Sequence, residues 1–191
     1  RDVSIAFANE LSMICDKAGI NVWELIKLAN KHPRVNILQP GTGVGGHCIA
    51  VDPWFIVSEF EKEAVIIRNA REINNYKTEW VIEKIRATAL QFELDNNRKP
   101  TVALMGLAFK PDIDDLRESP AVLVVDVLLR ENKYDLLLVE PNLKESEKYN
   151  LAEYRQVIEK ADVVAFLVAH KEFMSYSSKI ITLDFCGILA E

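Results

Sequence analysis

Cys48 stands at the end of the stretch "PGTGVGGHCIAVDP", residues 40–53, with Asp52 four positions beyond it. Four of the chain's seven glycines, Gly41, Gly43, Gly45 and Gly46, crowd into the six residues that end two positions before the cysteine. Glycine permits positive φ and lets backbone N–H groups approach a ligand closely. Around a cysteine, that combination suits a thiolate attacking a carbonyl carbon, with backbone donors placed for the oxyanion that forms. Asp52 is near enough in sequence to orient a water or a cation beside the sulfur. His47 adjoins Cys48, but neighbours in an extended segment point to opposite faces, so no Cys-His dyad follows. A structural reading fits the same spacing: Cys48 as a small buried residue, the glycines as a turn, Asp52 as a helix cap.

A second stretch, "GLAFKPDIDDLRESP" (106–120), carries Lys110 and Arg117 separated by three aspartates. Gly106 is its only glycine, so it is neither a dinucleotide fingerprint nor a P-loop. Ser119 and Pro120 open a helix just after it, as N-cap and first helical residue. A phosphate between the two cations and that helix end is one arrangement. Aspartates pairing with the cations in a solvated loop is the other.

The elements that must position these loops follow from periodicity. Val3, Phe7, Leu11, Ile14 and Ala18 recur at helical spacing over 2–18 and define an apolar face, which Gly19 ends. Asn21 and Glu24 form a capping box for a second helix that stops near Lys31. Asp52-Pro53 matches an N-cap followed by proline. Residues 61–95 lack Gly and Pro and keep a helical period. One helix of about 33 residues, roughly 50 Å long, or two helices broken near Asn74-Asn75 satisfy that pattern. From 101 onward, strands at 101–107, 134–141, 162–170 and 179–185 alternate with helices at 119–131 and 151–161. Such alternation predicts a parallel sheet with ligands at its C-terminal strand ends. The fold class is therefore α/β, a helical region at 1–98 with a long connecting helix, followed by a sheet domain at 99–191.

Composition narrows the function. With 23 basic and 29 acidic residues the net charge is −6, which argues against a broad nucleic-acid surface. No apolar run reaches the roughly 20 residues of a membrane span. The three cysteines, Cys15, Cys48 and Cys186, form no CxxC pair and no zinc spacing, so no metal is expected and a reducing, cytoplasmic setting is. Cys15 lies on an apolar helical face and Cys186 follows a strand, so both are structural candidates; Cys48 alone lies in a loop.

Together the two loops resemble those of the UDP-glucose/GDP-mannose dehydrogenase family. "GVGGHCIAVDP" is similar to its GxGGxCxPxD nucleophile loop, and "GLAFKPDIDDLRESP" to its nucleotide loop, GlaFKxxTdDxReSp. "IAFANEL" resembles the first helix of its central dimerisation region. Val51 and Ala50 depart from the UDP-glucose pattern toward the N-acetylhexosamine branch. Phe185 and Cys186 follow Asp184, where the family often carries a basic residue.

The resemblance implies a central dimerisation domain and a Rossmann-like UDP-binding domain. It implies twofold oxidation of a sugar C6 hydroxyl through a cysteine thioester, using two NAD per turnover. Matched position by position, Cys48 is the nucleophile and Asp52 assists the water. Gly41, Gly43, Gly45 and Gly46 contact sugar and diphosphate, and Lys110 meets the nucleotide-sugar. Arg117 lies near the cofactor's phosphates, and Arg34 reaches a neighbouring subunit's substrate. The family's NAD domain and its catalytic Lys and Asn fall upstream of Arg1, so this chain is expected to be a central and C-terminal portion that is inactive alone, and a homodimer. A stand-alone nucleotide-binding module and a cysteine-dependent hydrolase are the competing classes; the hydrolase lacks a base, since His32, His47 and His170 have no triad-like context.

Overall fold

The computed structural model describes residues 1–190. Four helices come first: α1 (Asp2–Ala18), α2 (Val22–Ala29), α3 (Asp52–Glu59) and α4 (Val65–Asn96). The second half is β1 (Thr101–Met105), α5 (Pro120–Glu131), β2 (Asp135–Val139), α6 (Tyr154–Lys160), β3 (Val163–Phe166), a 3-10 turn at Lys171–Phe173, and β4 (Ile181–Asp184). All strand pairs are parallel, in the order β2-β1-β3-β4.

Strand alternation explains the layers. Val102 and Leu104 point to one face, where Val81, Ile82 and Ile85 of α4 and Val124, Val125 and Leu128 of α5 meet them. Ala103 and Met105 point to the other face, against Val157 of α6 and Phe173. Each strand is shorter than its apolar run, because the run continues into the loop past the strand's last ladder bond.

The long helix is continuous. α4 runs unbroken through Asn74-Asn75 for 32 residues, about 48 Å. Its first half packs on α1 and α3, and its second half lies under the sheet. Asn97 ends it in the left-handed conformation at φ 52°. The residue 98 boundary thus falls at the end of a helix shared by both halves.

One local expectation, the Asp52 cap, is corrected. The apolar stripe of α1 faces outward: Phe7 is 55% and Ile14 56% exposed. The buried residues of α1 are Asp2, Ala6, Ala8, Asn9, Ser12 and Cys15 instead; Asp2, Asn9 and Ser12 meet Arg71, Asn74 and Lys77 of α4, all buried. Asp52 does not cap α3. It is the first helical residue, with Val51 before it and no side-chain cap bond. Its amide and that of Val51 both donate to the Cys48 carbonyl, at 2.8 and 3.1 Å, so a turn starting at the cysteine enters the helix.

Candidate active site

The glycine loop is pinned from three sides. The Gly41 amide donates to Asn9 Oδ1 of α1 at 2.9 Å. Thr42 Oγ1 donates to the Leu167 carbonyl past β3 at 2.7 Å, and Thr78 Oγ1 of α4 donates to the Thr42 carbonyl at 3.1 Å. Asn9 is itself held by Asn74, which donates to Asp2 Oδ1, so a buried polar chain links α1, α4 and the loop.

Past Thr42 the glycines serve close packing against the second loop. A Cβ on Gly43 would stand 2.4 Å from Thr78 Oγ1. On Gly45 it would meet the Glu118 carbonyl at 2.3 Å, and on Gly46 the Phe109 ring at 3.0 Å. Gly45 and Gly46 therefore let the two loops touch.

Where they touch, a cleft of about 210 Å³ opens between the C-terminal ends of β1 and β3. Gly41 to Gly43 form one wall; Phe109, Lys110 and Pro111 another; Leu167 to Ala169 a third. The chain leaves β1 toward β2 on one side and returns to β3 on the other, so this is the sheet's switch point, where doubly wound folds bind ligands. Pro120 and Ala121, at the N-terminus of α5, complete the cleft, adding a helix end that favours anions. The volume is below the roughly 300–1,000 Å³ of a full small-molecule site, and suits part of a ligand.

The two cations of the second loop part company. Arg117 is paired with Asp115 through Nε and Nη2, at 3.0 and 2.6 Å, on the open surface. Hydrogen bonds from the Arg117 side chain and amide bring the Asp115 carboxyl down to about 2. Lys110 lines the cleft and has no ion-pair partner among the described residues. The solvated-loop arrangement thus holds for Arg117, whereas Lys110 faces the cleft beside the Phe109 ring.

Cys48 and Asp52 line a second cleft, of about 320 Å³, with Arg1, Asp2, Pro53, Ile56 and Ile67. Cys48 is exposed, as the loop reading requires. Behind this cleft Asp2 and Arg71 form a buried pair at 2.9 Å, leaving Asp2 Oδ2 and Arg71 Nε without partners among the described residues. The nucleophile candidate and Lys110 thus sit in separate clefts. Gly43 and Cys48 are five residues apart, at most about 18 Å of extended chain, so the glycine loop spans the two. Arg34 lies in neither cleft, exposed beyond α2. Cys15 is buried against Val22 and Ile26. Cys186 lines the first cleft, and burial, with Asp184 beside it, pushes its thiol well above the usual range, keeping it uncharged.

Sequence reasoning missed Asn9, Thr78, Glu140 and His170. Asn9 could have been found as the polar residue opposite the α1 stripe, and Glu140 as an acid at the end of a buried strand. Thr78 carried no such signal. Asp112, His170 and Glu172 bring possible metal-ligand atoms within 4.8 Å of one another. His170 Nδ1, however, already accepts the Asp112 amide at 2.9 Å.

The switch-point cleft of the parallel sheet is thus joined by a glycine loop to an exposed cysteine that shares a second cleft with Asp52. The chain belongs to the UDP-glucose/GDP-mannose dehydrogenase family: residues 1–76 match the family's central domain and 103–189 its UDP binding domain. It is 54% identical to the UDP-N-acetyl-D-mannosamine dehydrogenase of Campylobacter jejuni over 97% of the chain and 46% of that protein. It is 51% identical to an NDP-N-acetyl-D-galactosaminuronic acid dehydrogenase of Ralstonia solanacearum, over 91% of the chain and 41% of that protein. Among solved structures, the UDP-D-ManNAc dehydrogenase of Pyrococcus horikoshii superposes with a TM-score of 0.81 at 35% identity, over all of the chain and 46% of that one. The chain spans a little under half the length of these relatives. Among the described residues no helix is long and apolar enough to cross a membrane.

Proposed function

We propose that this chain is the central and C-terminal portion of an NAD-dependent UDP-N-acetyl-D-mannosamine 6-dehydrogenase. The enzyme oxidises the sugar's C6 hydroxyl twice, to the uronate, in the cytoplasm and for surface polysaccharide synthesis. The observation that carries this reading is Lys110, without an ion-pair partner at the sheet's switch point, joined by the glycine loop to Cys48. The identities to UDP-N-acetyl-D-mannosamine dehydrogenases favour that sugar.

In this reading the uracil-diphosphate end lies in the first cleft, its phosphates against Lys110 and the α5 N-terminus. Gly41 and Gly43 offer the amide-lined wall along which the sugar runs toward Cys48. The thiolate of Cys48 adds to the C6 aldehyde, and the thioester formed after the second oxidation is hydrolysed by a water that Asp52 orients. The Asp52 carboxylate, free of any capping bond, is available for that role. NAD supplies the hydride acceptor for both oxidations. Among the described residues Arg117 is the one proposed contact to it, after release from Asp115, and no glycine-rich dinucleotide turn is present. The Lys and Asn that the resemblance places just before Arg1 would enter at the Cys48 cleft, since Arg1 lines it. Arg34 serves the substrate of a second subunit. That subunit packs on the stripe of Phe7, Ile14, Ile66 and Tyr76, each more than half exposed.

The test is NADH formation by the full-length protein against a panel of UDP-sugars, in wild type and Cys48→Ser. Turnover is expected with UDP-N-acetylmannosamine and no uronate from the serine variant, because an alkoxide ester hydrolyses poorly beside a thioester. Uronate at the wild-type rate from Cys48→Ser returns the cysteine to a structural role. The 191-residue chain alone should form no NADH.

A further inference from the structure

The loop that presents Lys110 follows a constrained path. Gly106, at φ +91°, passes so close to Val168 that a Cβ there would stand 2.6 Å from the valine's own. Asp112 takes φ +60° without glycine's freedom. Such a conformation persists where surrounding contacts over-determine it.

At Asp112 those contacts converge on one buried pair. His170 has no exposed surface, and its Nδ1 accepts the Asp112 amide at 2.9 Å. With Nδ1 accepting, Nε2 carries the proton and donates to Glu140 Oε2 at 3.0 Å. The same carboxylate oxygen accepts the amides of Leu107 and Ala108, at 2.7 and 2.9 Å. Glu140 Oε1 accepts the Asn142 amide at 3.1 Å, and Asp112 Oδ1 accepts the Lys171 amide at 3.0 Å. Burial pushes the Glu140 carboxyl up, but hydrogen bonds from His170, Leu107, Ala108 and Asn142 outweigh it and hold the group below its usual range. Residues from beyond β2 and β3 thus grip the loop at 107–108 and again at 112. Lys110 lies between the two grips.

We infer that His170 and Glu140 are positioning residues for Lys110, bracing the 107–112 segment so that the ammonium stands over the cleft for the diphosphate of the ligand. The inference rests on the reading that this cleft takes the nucleotide end of a UDP-sugar. Neither side chain touches the ligand; both act through the backbone of the loop.

The experiment titrates UDP into the chain by calorimetry and follows hydrogen exchange of the 107–112 amides, in wild type, Lys110→Ala, His170→Leu and His170→Gln. Lys110→Ala should weaken UDP roughly tenfold or more, the loss of one charge-assisted bond. His170→Leu should weaken it at least about fivefold and expose the Asp112 amide to exchange, with the amides of β1 and β3 still protected. Glutamine, with one donor and one acceptor, should restore both readouts to within about twofold of wild type. Should the leucine variant fail to fold, the near-isosteric Glu140→Gln weakens the other grip, on the Leu107 and Ala108 amides, and carries the same expectation for UDP affinity and for exchange of those two amides. A folded His170→Leu or Glu140→Gln with wild-type UDP affinity overturns the inference while leaving the cleft reading intact, provided Lys110→Ala is impaired. Wild-type UDP affinity in Lys110→Ala overturns the cleft reading itself, and the positioning role falls with it.

Discussion

Adding one methyl group at Gly45 should uncouple the two loops, whereas the same change at Gly41 should not. A Cβ on Gly45 would lie 2.3 Å from the Glu118 carbonyl oxygen, 2.8 Å from Pro120 Cδ and 3.0 Å from Phe109 Cβ. Carbon–oxygen contacts settle near 3.3 Å or more, so the loops must part by about 1 Å. The obstacles are a backbone carbonyl and a proline ring at the start of α5, and neither can rotate aside. Overpacking of this kind costs roughly 1–3 kcal/mol. Because the parting moves the wall of the first cleft, a displacement near 1 Å should also cost on the order of 10²-fold in turnover of the full-length enzyme. At Gly41 the nearest atom to an added Cβ is the Gly43 carbonyl at 3.9 Å, so Gly41→Ala should change stability by less than about 0.5 kcal/mol. It should still weaken UDP-sugar binding, since its methyl group sits in the cleft wall. Urea denaturation and UDP-sugar titration of both variants check the pair. Gly45→Ala with wild-type stability and turnover would refute the packing argument.

Lys77 is pushed down to about 7 by burial, with Asp16 opposing and Lys84 adding to the shift. The folded state thus binds this proton more weakly than the unfolded one, so the destabilisation is full below pH 7 and fades as pH rises toward 10.5. Lys77→Met should therefore gain stability at pH 7, by at most about 5 kcal/mol, with the gain vanishing above pH 10.5; a loss in urea melts at pH 7 means its Ser12 bond and its contact with Trp80 outweigh burial. Glu140 has the opposite sign: its lowered pKa stabilises the fold above the ordinary carboxyl value, and that contribution is lost as pH falls through the lowered one. Hydrogen exchange of Leu107 and Ala108 should accordingly rise in acid before that of β1, and simultaneous release counts against the brace. Phe7→Glu should convert the proposed homodimer of the full-length protein to monomer by light scattering, with helical content unchanged. A dimer that survives the substitution places the interface elsewhere.

Much of the architecture was legible in local pattern. The alternation after residue 100, the Ser119-Pro120 start of α5 and the unbroken period of α4 are set within a few residues of each other, so spacing alone reveals them. The two loops likewise carried their chemistry in residue type. Tertiary structure decided which face had a partner. The period of α1 defined an apolar stripe, but burial went to the opposite face, because Arg71, Asn74 and Lys77 stand across from it and the stripe is left for another surface. Packing also separated Lys110 from Arg117, since Asp115 is folded against the arginine alone as an ion pair. Glu140 and His170 come to the loop from 30 residues apart through parallel strands. No local period records such a meeting, because it depends on the order in which the sheet assembles its strands.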